Sequence, residues 1–194
     1  MIARPLATAA RSLAVRIGAL ALTLALAACA SSDRQARDYV DPNADFKTMK
    51  VAVLPFENLT NYPNAGRIVA ELMATELYDR GVFELQEDTE TRRALAQLKI
   101  DPENLTSVAA AQQAAGLLEV DAIVIGSVSE FGYQQGLREE PVVGLNARLV
   151  QAGTGTVLWA SSHSVMGGGY LERGSLNATA QRVVSSMVDP LTDR

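Results

Sequence analysis

Two segments of the chain leave little freedom in how it folds. Met49–Phe56 (MKVAVLPF) is nearly all apolar and rich in Val, and the first half of Asp121–Phe131 (DAIVIGSVSEF) is continuously apolar. A strand with one face in water alternates apolar and polar residues. A run without alternation suits a strand covered on both faces, which requires helices packed on the sheet. The segment after the first strand meets that need. Pro63–Arg80 places Ala65, Ile68, Val69, Leu72, Met73 and Leu77 at helical spacing, interrupted at Glu76, so one face is buried. Thr60, Asn61 or Asn64 can cap its start, and Gly81 its end. Val82–Gln86 (VFELQ) then reads as a short strand. Strand, helix and strand in this order make a βαβ unit, whose strands run parallel.

Further along, Thr89–Leu98 reads as a second helix, with Glu90 near its positive end and Asp101-Pro102 breaking it. Ser107–Leu118 is an Ala-rich helix suited to close packing. After the second apolar strand, Gly132–Pro141 is a polar connection. Val142–Gln151 sets Val143, Leu145, Ala147 and Leu149 against Gly144, Asn146, Arg148 and Val150. Ala152-Gly153-Thr154-Gly155 is a tight turn, and Thr156–Ser164 returns as the partner strand of a hairpin, with Trp159 assigned to the core. Gly167–Gly169 is a flexible connection. The last helix, Leu171–Leu191, carries Leu176, Ala180, Val183, Val184, Met187, Val188 and Leu191 on one face. The expected fold class is α/β (α+β): a mixed β-sheet with an early βαβ unit, an antiparallel C-terminal meander and packed helices, all within residues 48–194.

The amino terminus has a different character. Residues 1–18 hold Arg4, Arg11 and Arg16 and no acid, and the apolar run Ile17–Ala28 follows. That run is shorter than the about 20 residues a spanning helix needs, and a basic start with a short apolar core is a secretory signal. Leu26-Ala27-Ala28-Cys29, followed by Ala30-Ser31-Ser32, resembles the lipobox of bacterial lipoproteins. The resemblance implies cleavage before Cys29 and lipid on that residue. Cys29 is the only cysteine in the chain, so it has no disulfide partner. Ala30 rather than an aspartate follows it, which in such lipoproteins implies the outer membrane, on its periplasmic face. The expected organisation is a signal peptide at 1–28, the lipidated cysteine and a flexible tether at 29–47, and one domain at 48–194. Residues 30–47 are polar and without periodicity, and eighteen residues reach at most about 60 Å.

Removal of residues 1–28 leaves 14 basic and 22 acidic residues, a formal charge of −8. That balance argues against nucleic acid as a partner and against electrostatic docking on anionic lipid.

Val51–Thr60 (VAVLPFENLT) with Ala65–Leu85, Val120–Phe131 (VDAIVIGSVSEF), and Gly144–Ser161 (GLNARLVQAGTGTVLWAS) occur in the order found in the CsgG-like superfamily. The chain resembles that group over most of residues 48–191. The superfamily includes curli secretion lipoproteins, the amino-terminal domain of TolB, and LpoB-type activators of penicillin-binding proteins. The resemblance implies a non-enzymatic periplasmic adaptor or regulator without cofactor. Its partner would be a penicillin-binding protein or another envelope-assembly component. The alternative it implies is an oligomeric secretion or assembly component for curli or another surface structure, and hence a homo-oligomer. Pore-forming members insert long membrane hairpins. A spanning hairpin needs two strands of about 9–11 residues each. Only twelve residues lie between Phe131 and Gly144, Arg138-Glu139-Glu140-Pro141 among them. The expectation is a periplasmic domain without the pore.

Candidate chemistry is sparse. His163 is the only histidine and lacks a companion nucleophile in the sequence pattern, so it reads as a hydrogen-bonded or surface residue. No Cys/His spacing suits zinc. Gly167–Gly169 lacks the Lys and spacing of a phosphate loop. Glu139-Glu140 and Glu84 with Glu87-Asp88 read as solvated charge. No catalytic residue, metal or cofactor is expected. The best candidate for an interaction surface is the loop Phe56, Glu57, Asn58, Thr60 and Asn61, at the carboxyl end of a buried strand, where open α/β sheets tend to bind.

Overall fold

In the computed structural model the described residues are 34–97, 101, 105, 107–135, 139–166 and 174–192. The expected signal peptide at 1–28, Cys29 and Gly167–Gly169 lie outside them. The strands are β1 (Arg34–Val40), β2 (Lys50–Val53), β3 (Glu57–Asn58), β4 (Glu84–Leu85), β5 (Ala122–Gln135), β6 (Glu139–Gln151) and β7 (Val157–Met166). The helices are α1 (Ala65–Arg80), α2 (Asp88–Gln97), α3 (Val108–Leu118) and α4 (Leu176–Thr192). One mixed sheet runs in the order β1-β7-β6-β5-β2-β4, with β3 also paired to β5. The βαβ unit is present, since β2 and β4 are parallel. The β5-β6-β7 meander is antiparallel.

The two unalternating runs do what their composition requires. Val51 and Val53 enter one core cluster with Val69, Met73 and Leu77 of α1 and Val183, Val184 and Met187 of α4. Ala52 and Leu54 enter a second cluster with Leu95 of α2 and Ala111, Ala114, Ala115 and Leu118 of α3. Val124 and Ile123 of β5 divide in the same way. Successive side chains point to opposite faces, so a strand between two helical layers has no polar position to spare. Trp159 is fully buried in the first cluster.

β5 is the spine of the sheet. Its Ala122–Val124 pairs with β2 and its Ser127–Val128 with β3, along a single edge. Just after β2 the amide of Leu54 donates to the Val124 carbonyl, and just after β3 the amide of Leu59 donates to the Val128 carbonyl, both at 3.0 Å. The chain therefore does not leave the sheet at Pro55. α1 packs against this stretch at very close range. The Phe56 amide donates to the Gly66 carbonyl at 3.2 Å, and a Cβ on Gly66 would overlap the Phe56 carbonyl oxygen. Gly81 ends α1 at φ 60, and its amide donates to the Tyr78 carbonyl. Asn64 stands at the α1 N-cap without a side-chain capping bond, whereas Ser107 caps α3 by accepting from the Ala110 amide.

Two expectations need correction. The expected tether, within 29–47, contains β1, a full antiparallel partner of β7 from Arg34↔Val165 to Val40↔Trp159. RQARDYV carries no apolar alternation: among the described residues β1 is an edge strand with β7 as its neighbour, and its core-facing Asp38 is paired with Ser161 and His163. The polar connection at Gly132–Pro141 is also strand on both sides, with β5 running to Gln135 and β6 starting at Glu139. Pro141 is tolerated there because β6 meets β7 only from Val142 onward, so no second ladder asks for its missing N–H.

Candidate interaction surfaces

The loop expected to carry interactions divides in two. Phe56 is fully buried, with its ring against Gly126, so it serves the interior. Glu57 and Asn58 form β3. The Asn58 Oδ1 accepts from the Thr60 amide at 3.1 Å and from its hydroxyl at 2.8 Å. The Asn58 Nδ2 donates to the Tyr62 carbonyl at 2.9 Å, and Thr60 Oγ1 accepts from the Tyr62 amide at 3.1 Å. These groups brace the turn into α1, which is the usual use of Asn and Thr in turns. What the loop offers outward is Asn61 and Leu59, with Tyr62 resting on Phe131 at 4.9 Å between ring centroids.

His163 lies on the helix-covered face of β7, 7 % exposed. Its Nε2 is 2.9 and 3.0 Å from the two carboxylate oxygens of Asp38 on β1. The Ser161 hydroxyl donates to the same carboxylate at 2.6 Å. The composition is that of a hydrolytic triad but the order is not. In a working triad the imidazole sits between hydroxyl and carboxylate and takes the hydroxyl proton. Here the carboxylate sits between, leaving no base on the hydroxyl. The arrangement is a polar clasp holding β1 to β7. The carboxylate pairs expected as solvated charge include Asp88, which pairs with Arg92 at 2.7 Å on α2, while Glu139 stands exposed at the end of the β5–β6 hairpin. No cluster of three or more His, Cys, Asp or Glu suited to a metal occurs among the described residues.

A second polar network joins α1 to α4. Glu76, the break in the apolar face of α1, is 9 % exposed. It accepts from Arg80 Nε and the Ser185 hydroxyl, both at 3.0 Å, and from Gln181 Nε2 at 3.2 Å. Arg80 also donates to Asp189 at 2.7 Å. The hydrogen bond to Asp189, followed by that to Glu76, raises the Arg80 pKa above its ordinary value against the opposing effect of burial, so the guanidinium keeps its charge.

A recess lies on the other face of the sheet. α2 and α3 cover only the part of that face near Ala52, Ile123 and Val150. Beyond them the face is open and forms a groove of about 490 Å³, lined by Arg37 and Tyr39 of β1, Ser127 of β5, Asn146 and Arg148 of β6, and Ser162 of β7 among others. Glu57 and Gly126 border it beside Ser127. The alternation of Val142–Gln151 sets Asn146 and Arg148 opposite the core-facing residues, so half of this surface is legible in the sequence. Arg37 and Tyr39 are not, because their strand has the composition of a tether. Tyr39 is 51 % exposed. Two arginines and a tyrosine lining a polar groove suit protein contact, where Tyr and Arg are enriched.

No protein-family model and no curated protein sequence matches this chain. Solved structures do. A dodecamer of a PelC variant from Paraburkholderia phytofirmans superposes with TM-score 0.63 at 25% identity, covering 83% of this chain and 99% of that one. Lipoprotein GNA1162 from Neisseria meningitidis superposes with TM-score 0.59 at 21% identity, covering 75% of this chain and 99% of that one. The LpoB C-terminal domain from Salmonella enterica superposes less well, with TM-score 0.49 at 19% identity over 66% of this chain and 88% of that one. The fold is thus one found in a lipoprotein of Neisseria meningitidis and in a protein that forms dodecamers.

Proposed function

We propose that this chain is a lipid-anchored protein of the bacterial envelope, held at the outer membrane through Cys29, that acts without catalysis as an oligomeric assembly component. The observation that carries the reading is the superposition on PelC, a dodecamer, over nearly all of that chain. The lipobox-like Leu26–Cys29 supplies the attachment. Of the two roles implied by the CsgG-like resemblance, assembly is favoured over activation of a penicillin-binding protein. A partner in the inner membrane requires a long reach. β1 starts at Arg34, so Ala30–Asp33 alone separate it from Cys29. Each copy in a ring meets its neighbours through two different surfaces. The open sheet face with Arg37, Tyr39 and Arg148 is assigned to one of them.

The test is the mass of the lipid-free protein in solution, measured by light scattering, together with cross-linking in intact envelopes. Copies that associate into a closed assembly, dispersed by Arg37→Glu with Tyr39→Ala, are the expected result. A monomer at all accessible concentrations that also cross-links to no envelope protein refutes the reading. Cys29→Ala should move the folded protein from the membrane to the soluble periplasmic fraction.

A further inference from the structure

The strand register puts the start of β1, five residues after Cys29 in the sequence, at one defined end of the sheet. Arg34 pairs with Val165, Met166 with Val142, Tyr133 with Pro141, and Gln135 with Glu139. The start of β1, the end of β7 and the tip of the β5–β6 hairpin therefore lie together. α4 also begins there, since the Leu176 amide donates to the Tyr133 hydroxyl at 3.3 Å. The other end holds Val40, Ala122 and Gln151. α1 ends there too: Arg80 reaches Asp189 and Thr192 at the end of α4, and β4, which follows α1, pairs with the start of β2. At about 3.3 Å per residue, β5 separates the two ends by roughly 40 Å.

From Cys29 to Arg34 the chain spans at most about 18 Å when fully extended. Given the lipid-anchor reading, on which this step rests, the far end is too distant to meet the bilayer while the anchor is seated in it. The hairpin end is within reach. Its exposed side chains suit that neighbour. Tyr133 is 52 % exposed while its hydroxyl is tied to α4, which leaves ring surface outward, and Met166 is 48 % exposed. Tyrosine is a residue of membrane–water interfaces, with an apolar ring and a polar tip. The same end carries Glu130 and Glu139, both exposed, and Arg34 at the start of β1, so the described residues give it no net positive charge to draw it to anionic headgroups.

We propose that the hairpin end, through Tyr133 and Met166, rests in the interfacial layer of the membrane that holds Cys29, so that the domain stands end-on to the bilayer with the tip of α1 pointing away. The contact is apolar and favours zwitterionic lipid.

The experiment uses the lipidated full-length protein in phosphatidylethanolamine–phosphatidylcholine vesicles containing lipid brominated near the headgroup. One added tryptophan is placed at a time, with buried Trp159 as a constant background. Tyr133→Trp should lose emission to the bromine, and Met166→Trp, independent of the Tyr133 hydroxyl, should do the same. Tyr78→Trp, at the far end and 78 % exposed in the parent residue, should lose none. Replacing part of the zwitterionic lipid with phosphatidylglycerol should weaken the quenching. Protein that floats with the vesicles yet shows no quenching at 133 or 166, or equal quenching at 78, overturns the orientation and leaves the anchor standing. Protein that does not float, or floats equally as Cys29→Ala, overturns the anchor and the orientation with it.

Discussion

A glycine-to-alanine change in a helix normally stabilises, because alanine loses less backbone entropy on folding, by up to about 1 kcal/mol in a helix interior. Gly66→Ala should do the opposite. Its Cβ would overlap the Phe56 carbonyl oxygen and approach the Phe56 carbonyl carbon to 2.9 Å. Both are backbone atoms of a segment hydrogen-bonded to β5 on either side, at Leu54 and Leu59, so no rotamer change relieves the overlap. α1 must retreat. Doing so strains a packed core, at about 1–3 kcal/mol. It also stretches the Phe56–Gly66 hydrogen bond, and a buried donor left unpaired costs about 1–3 kcal/mol. Less a helix-propensity gain of about 1 kcal/mol, the net loss is about 1–5 kcal/mol, or roughly 2–20 °C in Tm for a domain of this size. The paired control is Gly116→Ala in α3, where a new Cβ meets nothing within 4 Å. That change should raise stability by about 0.5–1 kcal/mol. Urea unfolding of both variants, read by far-UV circular dichroism, checks the pair. A Gly66→Ala protein as stable as the parent would refute the close approach of α1 to the β2–β3 crossing.

Arg80→Ala should cost about 1–3 kcal/mol, because Glu76 is left buried with only Ser185 and Gln181 as donors; adding Glu76→Gln should recover part of the loss, and equal stability of the single and double variants would count against the network. Asp38→Ala removes the acceptor shared by His163 and Ser161, so hydrogen exchange at the β1 amides should accelerate by more than exchange at β5; uniform acceleration would mean the clasp is not local to β1. Phe56→Ala should destabilise by about 3–5 kcal/mol while Asn61→Ala stays within about 0.5 kcal/mol. Thermal melts of the two distinguish an interior Phe56 from a surface one.

How much of the molecule is readable in the chain varies with the reach of the interactions. Val51 through Leu54 announce two helical layers because each residue on a doubly covered strand must be apolar, a local property. The face of β6 is readable for the same reason, since its register alternates residue by residue. β1 is not readable. Its core-facing positions include Asp38, which is tolerable only because His163 and Ser161 arrive from residues 125 and 123 positions later. No local pattern encodes a partner so distant. Glu76 breaks the α1 stripe for a similar reason: its donors Gln181 and Ser185 lie on the last helix. The loop at Phe56–Asn61 is legible as the entry to α1, but Pro55 suggests a departure from the sheet that the β5 edge prevents.

The first strand of the sheet pairs with the last. A chain that emerges amino terminus first must keep residues 34–40 unpaired until residue 165 has followed. Pairing of β1 then cannot precede the appearance of β7, whereas the β5–β6 and β6–β7 hairpins join contacts nearer in sequence. Under the proposed lipid anchor, residues 34–40 are then still unpaired while Cys29 is processed. Docking of β1 afterwards fixes the start of the domain, at Arg34, beside the end of β7.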